Sequence, residues 1–183
     1  YVDFNAISAL SNLHKLIRAE TQRREAGKDL GIDVKLGRGG IREIEFITQT
    51  FQVIRGGREP QLRVKGTLSA LPLLEKCGAI KPEQVTRLSQ AYVFLRNLEH
   101  AIQYVDDQQT HRLPADETGR LQVAALLGLD CETMVSRLMD IREYVAGVFD
   151  GIFQVGESET EEDDWPQGWS VGFAGAHDAL TSV

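Results

Sequence analysis

The sequence predicts an all-α protein: a bundle of about five to six helices, with a glycine-rich loop before the central helix and an acidic C-terminal tail expected to be disordered. Three observations carry this. Apolar residues recur at three- and four-residue spacing through most of residues 3–154, with little strict alternation. Several periodic stretches begin at Thr, Pro or Asp and stop at Gly, which are helix start and stop signals. The connections between them are short, as in helical bundles. The expected organisation is a helical domain over residues 1–154 and an acidic linker or tail over 155–183.

Residues 3–26 read as the first helix, with Ile7, Leu10, His14 and Ile17 along one stripe, widened by Leu13 and Leu16. His14 is expected to be a core or boundary residue without chemistry. Gly27 and Gly31 lead into the segment around which the chain is organised. There Asp33 to Leu36 is short and β-compatible, and Gly37, Gly39 and Gly40 permit sharp turns. A helix follows from near Gly39–Ile41 to Gly56–Gly57. Its core stripe is Ile44, Ile47, Phe51 and Ile54, and its polar stripe is Arg42, Glu45, Gln49 and Gln52, flanked by Phe46 and Val53.

Two readings of that polar stripe stand: a solvated face with Arg42 and Glu45 as an i,i+3 pair, or the lining of a shared cleft. The glycine loop also has two readings. A helix N-terminus favours anions, and Lys35, Arg38 and Arg42 would add positive charge. Yet the loop is neither a P-loop nor a dinucleotide fingerprint, and a tight turn suffices to explain the glycines.

Arg58-Glu59-Pro60 breaks the helix, and residues 61–66 form a basic loop. Thr67 is expected to cap a short helix to about Lys76, ended by Gly78. Lys81-Pro82-Glu83 opens the longest helix. One of its stripes is Val85, Leu88, Tyr92, Leu95 and Ile102; the adjacent one is Ala91, Phe94, Leu98, Ala101 and Val105. So wide an apolar surface implies more than one neighbour. Glu99 interrupts it, so a buried acid paired with a cation is expected, with Arg96 one candidate. His100 reads as a boundary residue. A polar connection, Asp106 to Pro114, follows. Asp116 then caps a helix to Leu127, stopped by Gly128. Asp130 caps another to about Phe153, with a seam of Met134, Leu138, Ile141, Val145, Val148 and Ile152.

Composition limits what the chain can do. With 183 residues and 42% apolar content it can build one core. No apolar run approaches the ~18 residues of a membrane span, and Tyr1-Val2-Asp3-Phe4-Asn5 is not a signal peptide. The missing initiator Met suggests a piece of a longer chain. Cys77 and Cys131 are far apart, which fits reduced thiols in a cytoplasmic protein, and neither has a partner at zinc-ligand spacing, so no metal is expected in this chain. All 20 Lys and Arg precede residue 155, while seven of the 27 acids follow it. The body is therefore neutral and the tail carries the net −7, with six acids between Glu157 and Asp164. A neutral body offers no footprint for non-specific nucleic-acid binding.

Taken together, Lys35-Leu36-Gly37-x-Gly39-Gly40-Ile41-Arg42-Glu43-Ile44-Glu45-Phe46 and Gln52-x-Ile54-Arg55-Gly56-Gly57-Arg58-Glu59-Pro60 resemble the bifunctional glutamine synthetase adenylyltransferase/adenylyl-removing enzymes. So do Tyr1-Val2-Asp3-Phe4, Ala91-Tyr92-x-Phe94-Leu95-Arg96-x-Leu98-Glu99, Asp107-x-Gln109-Thr110-x-x-Leu113-Pro114 and the acidic run from Glu157 to Glu162. The resemblance covers nearly all of residues 1–164 and looks most like the N-terminal, adenylyl-removing half.

The resemblance implies reversible AMP attachment to a tyrosine of glutamine synthetase, removal by phosphorolysis to ADP, and control by the PII signalling protein and glutamine. It implies Mg²⁺ and ATP, ADP or phosphate as cofactors of the whole enzyme, with none in this chain. The family's Gly-Ser and Asp-x-Asp, which carry the carboxylates for two-metal phosphoryl transfer, are absent. The expectation is thus a helical domain following a nucleotidyltransferase domain, inactive alone, forming one wall of the cleft. In that wall Lys35, Arg38 and Arg42 would face phosphates, with Gly39 and Gly40 in the loop and Glu43 and Glu45 positioning the cations. Two alternatives stay open. One is the related helical domain of PII uridylyltransferase/uridylyl-removing enzymes. The other is a non-catalytic helical module that binds glutamine synthetase or PII, its glycines serving packing alone.

Overall fold

A computed structural model describes residues 12–13, 15–23, 32–106 and 110–154. His14, the acidic run and the rest of the tail lie outside the described residues. Among the described residues the chain is helical. Helix α1 covers residues 12–13 and 15–23, α2 is Ile41–Arg55, α3 is Thr67–Lys76, α4 is Pro82–Asp106, α5 is Glu117–Leu126 and α6 is Cys131–Gln154. A single 3₁₀ turn, Pro60–Leu62, sits between α2 and α3.

The β-compatible stretch Asp33–Leu36 does not form a strand. Asp33 makes one isolated antiparallel bridge with Arg112, and the chain then turns. The Asp33 side chain causes this: its Oδ1 accepts the N–H groups of Lys35 (3.0 Å) and Leu36 (2.7 Å), a local alternative to ladder pairing.

The termini of the later helices follow from their sequences. Asp116 accepts the Gly119 N–H at 2.7 Å and Asp130 the Thr133 N–H at 2.8 Å, each satisfying one orphan donor of a first turn. Gly78 and Gly128 take positive φ just past α3 and α5. Thr67, expected as a cap, is instead the first residue of α3; Gly66 at φ 91° precedes it, without a side-chain cap. The end of α2 also differs from a glycine stop. Gly56 keeps right-handed helical φ and ψ, and Arg63 Nε donates to its carbonyl at 2.7 Å. Gln52 reaches the Leu62 and Val64 carbonyls (2.6 and 3.0 Å), clamping the basic loop onto the helix.

Helices α2 and α4 form the centre. Helix α2 packs on α3, α4 and α6, while α4 packs on α2, α3, α5 and α6. Hence α4 needs its two apolar stripes, and α2 is buried nearly all round: Ile41, Ile44, Phe46, Ile47 and Phe51 belong to the core together with Glu43, Thr48 and Thr50. Ile54, read as core, is only half-buried, and Val53 is 62% exposed. The seam of α6 holds Met134, Leu138 and Val145 in the core and adds Ala146 and Phe149. Phe149 meets Phe46 edge-on with ring centroids 5.8 Å apart.

Candidate functional site

The glycine loop is a self-contained turn. Gly37 N–H donates to the Asp33 carbonyl, Gly40 N–H to Gly37, Ile41 N–H to Val34, Arg42 N–H to Lys35 and Glu43 N–H to Gly40, all at 3.1 Å. With Lys35 and Leu36 bound to Asp33, few backbone donors are left for a ligand. The loop is also stitched to the α4–α5 connection, since Val34 N–H donates to the His111 carbonyl and Leu113 N–H to the Ile32 carbonyl, both at 2.9 Å.

Each glycine is required by packing. At Gly39, φ is +71°, and an added Cβ would run into the backbone of Arg142 on α6. At Gly40 an added Cβ would lie 2.8 Å from the Val34 and Lys35 carbonyl oxygens. The tight turn therefore exists to bring the loop against α6 and against itself. The Arg142 side chain completes this contact, its Nε donating to the Arg38 carbonyl at 2.8 Å.

The charged residues of the motif are distributed over three neighbours. Lys35 Nζ lies 3.2 Å from Glu99 Oε1, and Glu99 is buried on α4. Arg96 Nη1 reaches Glu99 Oε2 at 2.6 Å and His111 Nδ1 stands 3.0 Å from Oε1. Arg38 Nη2 pairs with Asp150 Oδ2 of α6 at 3.0 Å, while 51% of the Arg38 side chain stays exposed. Arg42 Nη2 donates to Thr21 Oγ1 of α1 (3.1 Å) and to the Leu36 carbonyl (3.2 Å). Tyr92 donates its hydroxyl to Glu45 Oε1 at 3.0 Å.

Arg42, Glu45 and Gln52 thus take partners inside the fold, and Gln49 alone of the four is exposed. The stripe is neither a solvated face nor held by an Arg42–Glu45 pair. It fastens α2 to α1, α4 and the following loop. His100 on α4 is exposed.

Glu43 departs furthest from a ligand-facing role. Its side chain is 2% exposed, and Arg18 Nη1 of α1 contacts its Oε1 at 2.6 Å. Arg18 also pairs with Asp150 on α6, with Nε 2.7 Å from Oδ1, and its guanidinium lies 4.7 Å from the centre of the Phe149 ring. Arg18, Asp150 and Arg142 were not singled out in the sequence, because their partners are more than 100 residues away or on another helix. Glu43 Oε2 is buried without a hydrogen-bond partner among the described residues.

Burial is the largest influence on Glu43 and pushes its carboxyl above the ordinary 4.5; Arg18 and the Gly39 N–H act in the opposite sense without cancelling it. The sign for stability follows. Between pH 4.5 and the raised value the folded state retains a proton that the unfolded chain releases, so this group's contribution is lost as pH rises. The difference in unfolding free energy between Glu43→Gln and the parent, from urea melts, is therefore expected to shift toward the variant between pH 4.5 and neutrality. A difference that is flat with pH would count against a protonation change at Glu43.

A phosphate would meet this loop chiefly through side chains. Most of the loop's backbone N–H groups are engaged, Glu43 is buried at the helix N-terminus, and Arg42 is turned inward; Lys35 (34% exposed) and Arg38 remain at the surface. The described residues bring together no group of three or more His, Cys, Asp or Glu side chains suited to a metal ion.

Fold and site together define a helical domain whose rigid glycine loop mounts two surface cations, each held by a carboxylate from a different helix. Residues 11–153 match the family model described as GlnD PII-uridylyltransferase, and the chain belongs to this family. Among curated proteins it is 43% identical over 190 residues to a bifunctional glutamine synthetase adenylyltransferase/adenylyl-removing enzyme of Burkholderia mallei (strain ATCC 23344), covering 100% of this chain and 20% of the relative. Proteins of the same name from Chromobacterium violaceum and Aromatoleum aromaticum are 44% and 46% identical over 84% and 82% of this chain. The chain spans only 17% and 14% of those two relatives. No described helix is long and apolar enough to cross a membrane.

Proposed function

We propose that this chain is the helical domain of a cytoplasmic enzyme that reversibly adenylylates glutamine synthetase, and that it forms one wall of the adenylyl-removing site. Residues 1–154 act as the domain and 155–183 as a linker. The reaction's carboxylates, with Mg²⁺ and the nucleotide, belong to an upstream nucleotidyltransferase domain, so the chain is inactive alone. Glutamine synthetase and PII are the partners.

The observation that carries this reading is the pair of surface cations, Lys35 and Arg38, three residues apart on a loop that cannot shift without disturbing α4 and α6. Held in place, they can meet the negative charge of phosphate or ADP without first being ordered. The glycines serve packing; Arg38, between Gly37 and Gly39, stays half-exposed, and Lys35, ahead of them, is part-exposed beside Glu99. Arg42, Glu43 and Glu45 support the loop from within.

The test uses the full-length enzyme that contains this chain. ADP formation from adenylylated glutamine synthetase and phosphate is measured for Lys35→Ala and Arg38→Ala. Each is expected to lower kcat/KM about tenfold; the melting temperature of Arg38→Ala should stay near that of the parent, while Lys35→Ala, which takes one cation from buried Glu99 and leaves it Arg96, should also lower it. Wild-type rates in both variants would refute the reading. The description of the matching family model favours a second reading, in which the same wall serves a PII-modifying enzyme. Assaying both modified glutamine synthetase and modified PII separates the two.

A further inference from the structure

Arg38 is exposed, yet it is not loosely held. Its side chain pairs with Asp150 Oδ2 at 3.0 Å, and Asp150 is fixed in turn by Arg18, which contacts Oδ1 through both Nε and Nη2. Arg18 is anchored by buried Glu43 at 2.6 Å and by the Ala146 carbonyl at 3.4 Å. A relay of alternating charge thus runs from the interior of α2, across α1, to α6 and out to the tip of the loop. Asp150 has 22% of its side chain exposed, so its carboxylate is shielded from water more than Arg38 and holds a defined direction.

We propose that Asp150 is a positioning residue for Arg38: the carboxylate from α6 aims the loop guanidinium at the phosphate of the reaction. This rests on the reading that Lys35 and Arg38 face phosphate. Asp150 itself does not touch the reacting atoms. An arginine presents a planar fork, and a neighbouring carboxylate that engages one edge sets the direction of the other. Without it the side chain samples several rotamers, and the loss falls on phosphate binding more than on turnover.

The experiment uses the full-length enzyme and inorganic phosphate as the varied substrate, with thermal melts of every variant. Asp150→Asn keeps the shape and leaves the Arg18–Glu43 pair in place. It is expected to raise KM for phosphate about fivefold with kcat within twofold, and to add nothing when combined with Arg38→Ala. Arg38→Lys, a surface change that keeps the charge but loses the fork, should raise KM to a similar extent and guards against a folding defect in Asp150→Asn. The proposal is overturned if Arg38→Lys has wild-type KM, if a folded Asp150→Asn alters kcat alone, or if its effect persists undiminished in the Arg38→Ala background. If Arg38→Ala itself leaves KM for phosphate unchanged, the underlying reading of the loop fails, and this proposal with it.

Discussion

Gly39→Ala is expected to destabilise the protein by about 3 kcal/mol, the sum of roughly 1–2 kcal/mol for a left-handed backbone at a residue with a Cβ and a similar amount for overpacking. Positive φ accounts for the first part. The second comes from the Arg142 backbone, which occupies the space a Cβ would need. Backbone of a packed helix cannot swing aside as a flexible side chain can, so the loop must lift from α6. Lifting it stretches the Arg142–Arg38 hydrogen bond and the Arg38–Asp150 pair. For a folded body of this size the melting temperature should fall by roughly 6–12 °C. Gly57→Ala is the control: nothing lies within 4 Å of a Cβ there, and its stability should stay within about 0.5 kcal/mol of the parent. Equal melting temperatures for Gly39→Ala and the parent would show that the loop does not need the close approach.

Arg18→Ala is expected to lower stability by about 3–5 kcal/mol near neutral pH, the range seen when one partner of a buried ion pair is removed. Two carboxylates lose their cation at once. Glu43, 2% exposed, cannot turn to water, and Asp150 keeps Arg38. The ring of Phe149 also loses the guanidinium stacked on it. Adding Glu43→Gln should recover a substantial part of the loss, because a neutral amide is easier to bury than an orphaned charge. Urea melts of the two single variants and the double variant test this directly. Additive losses would mean that Arg18 and Glu43 act independently, against the geometry.

How much of this was legible in the residues varies with the kind of information each claim needs. The helix boundaries were legible because their signals are local: Pro82 at the start of α4, Asp116 and Asp130 before α5 and α6, Gly78 and Gly128 after α3 and α5. The burial of Glu99 was legible because it interrupts an apolar stripe. The burial of Glu43 was not, because α2 is covered on nearly every side, and only a narrow strip at Gln49 and Val53 meets solvent, too little to tell which of its acids is buried. Thr67 misled because the chain used Gly66 at positive φ instead of a side-chain cap. In the candidate site, the loop and its cations could be located from the motif. Which carboxylate restrains which cation could not, since Arg18 and Asp150 are 132 residues apart and pairing at that separation leaves no trace in local spacing.

That separation also bears on the order in which the molecule is made. The glycine loop is closed by residues far along the chain: Arg142 and Asp150 on α6, more than a hundred positions later, and the 110–113 segment before α5, about eighty positions later. Contacts of such span form late, because closing so long a loop costs entropy before the contact repays it. On a ribosome, residues 32–43 leave the exit tunnel long before α6 does. Arg38 must therefore wait for its carboxylate until α6 docks, whereas Lys35 can meet Glu99 once α4 is in place, and the proposed phosphate-facing surface is complete only when α6 has packed.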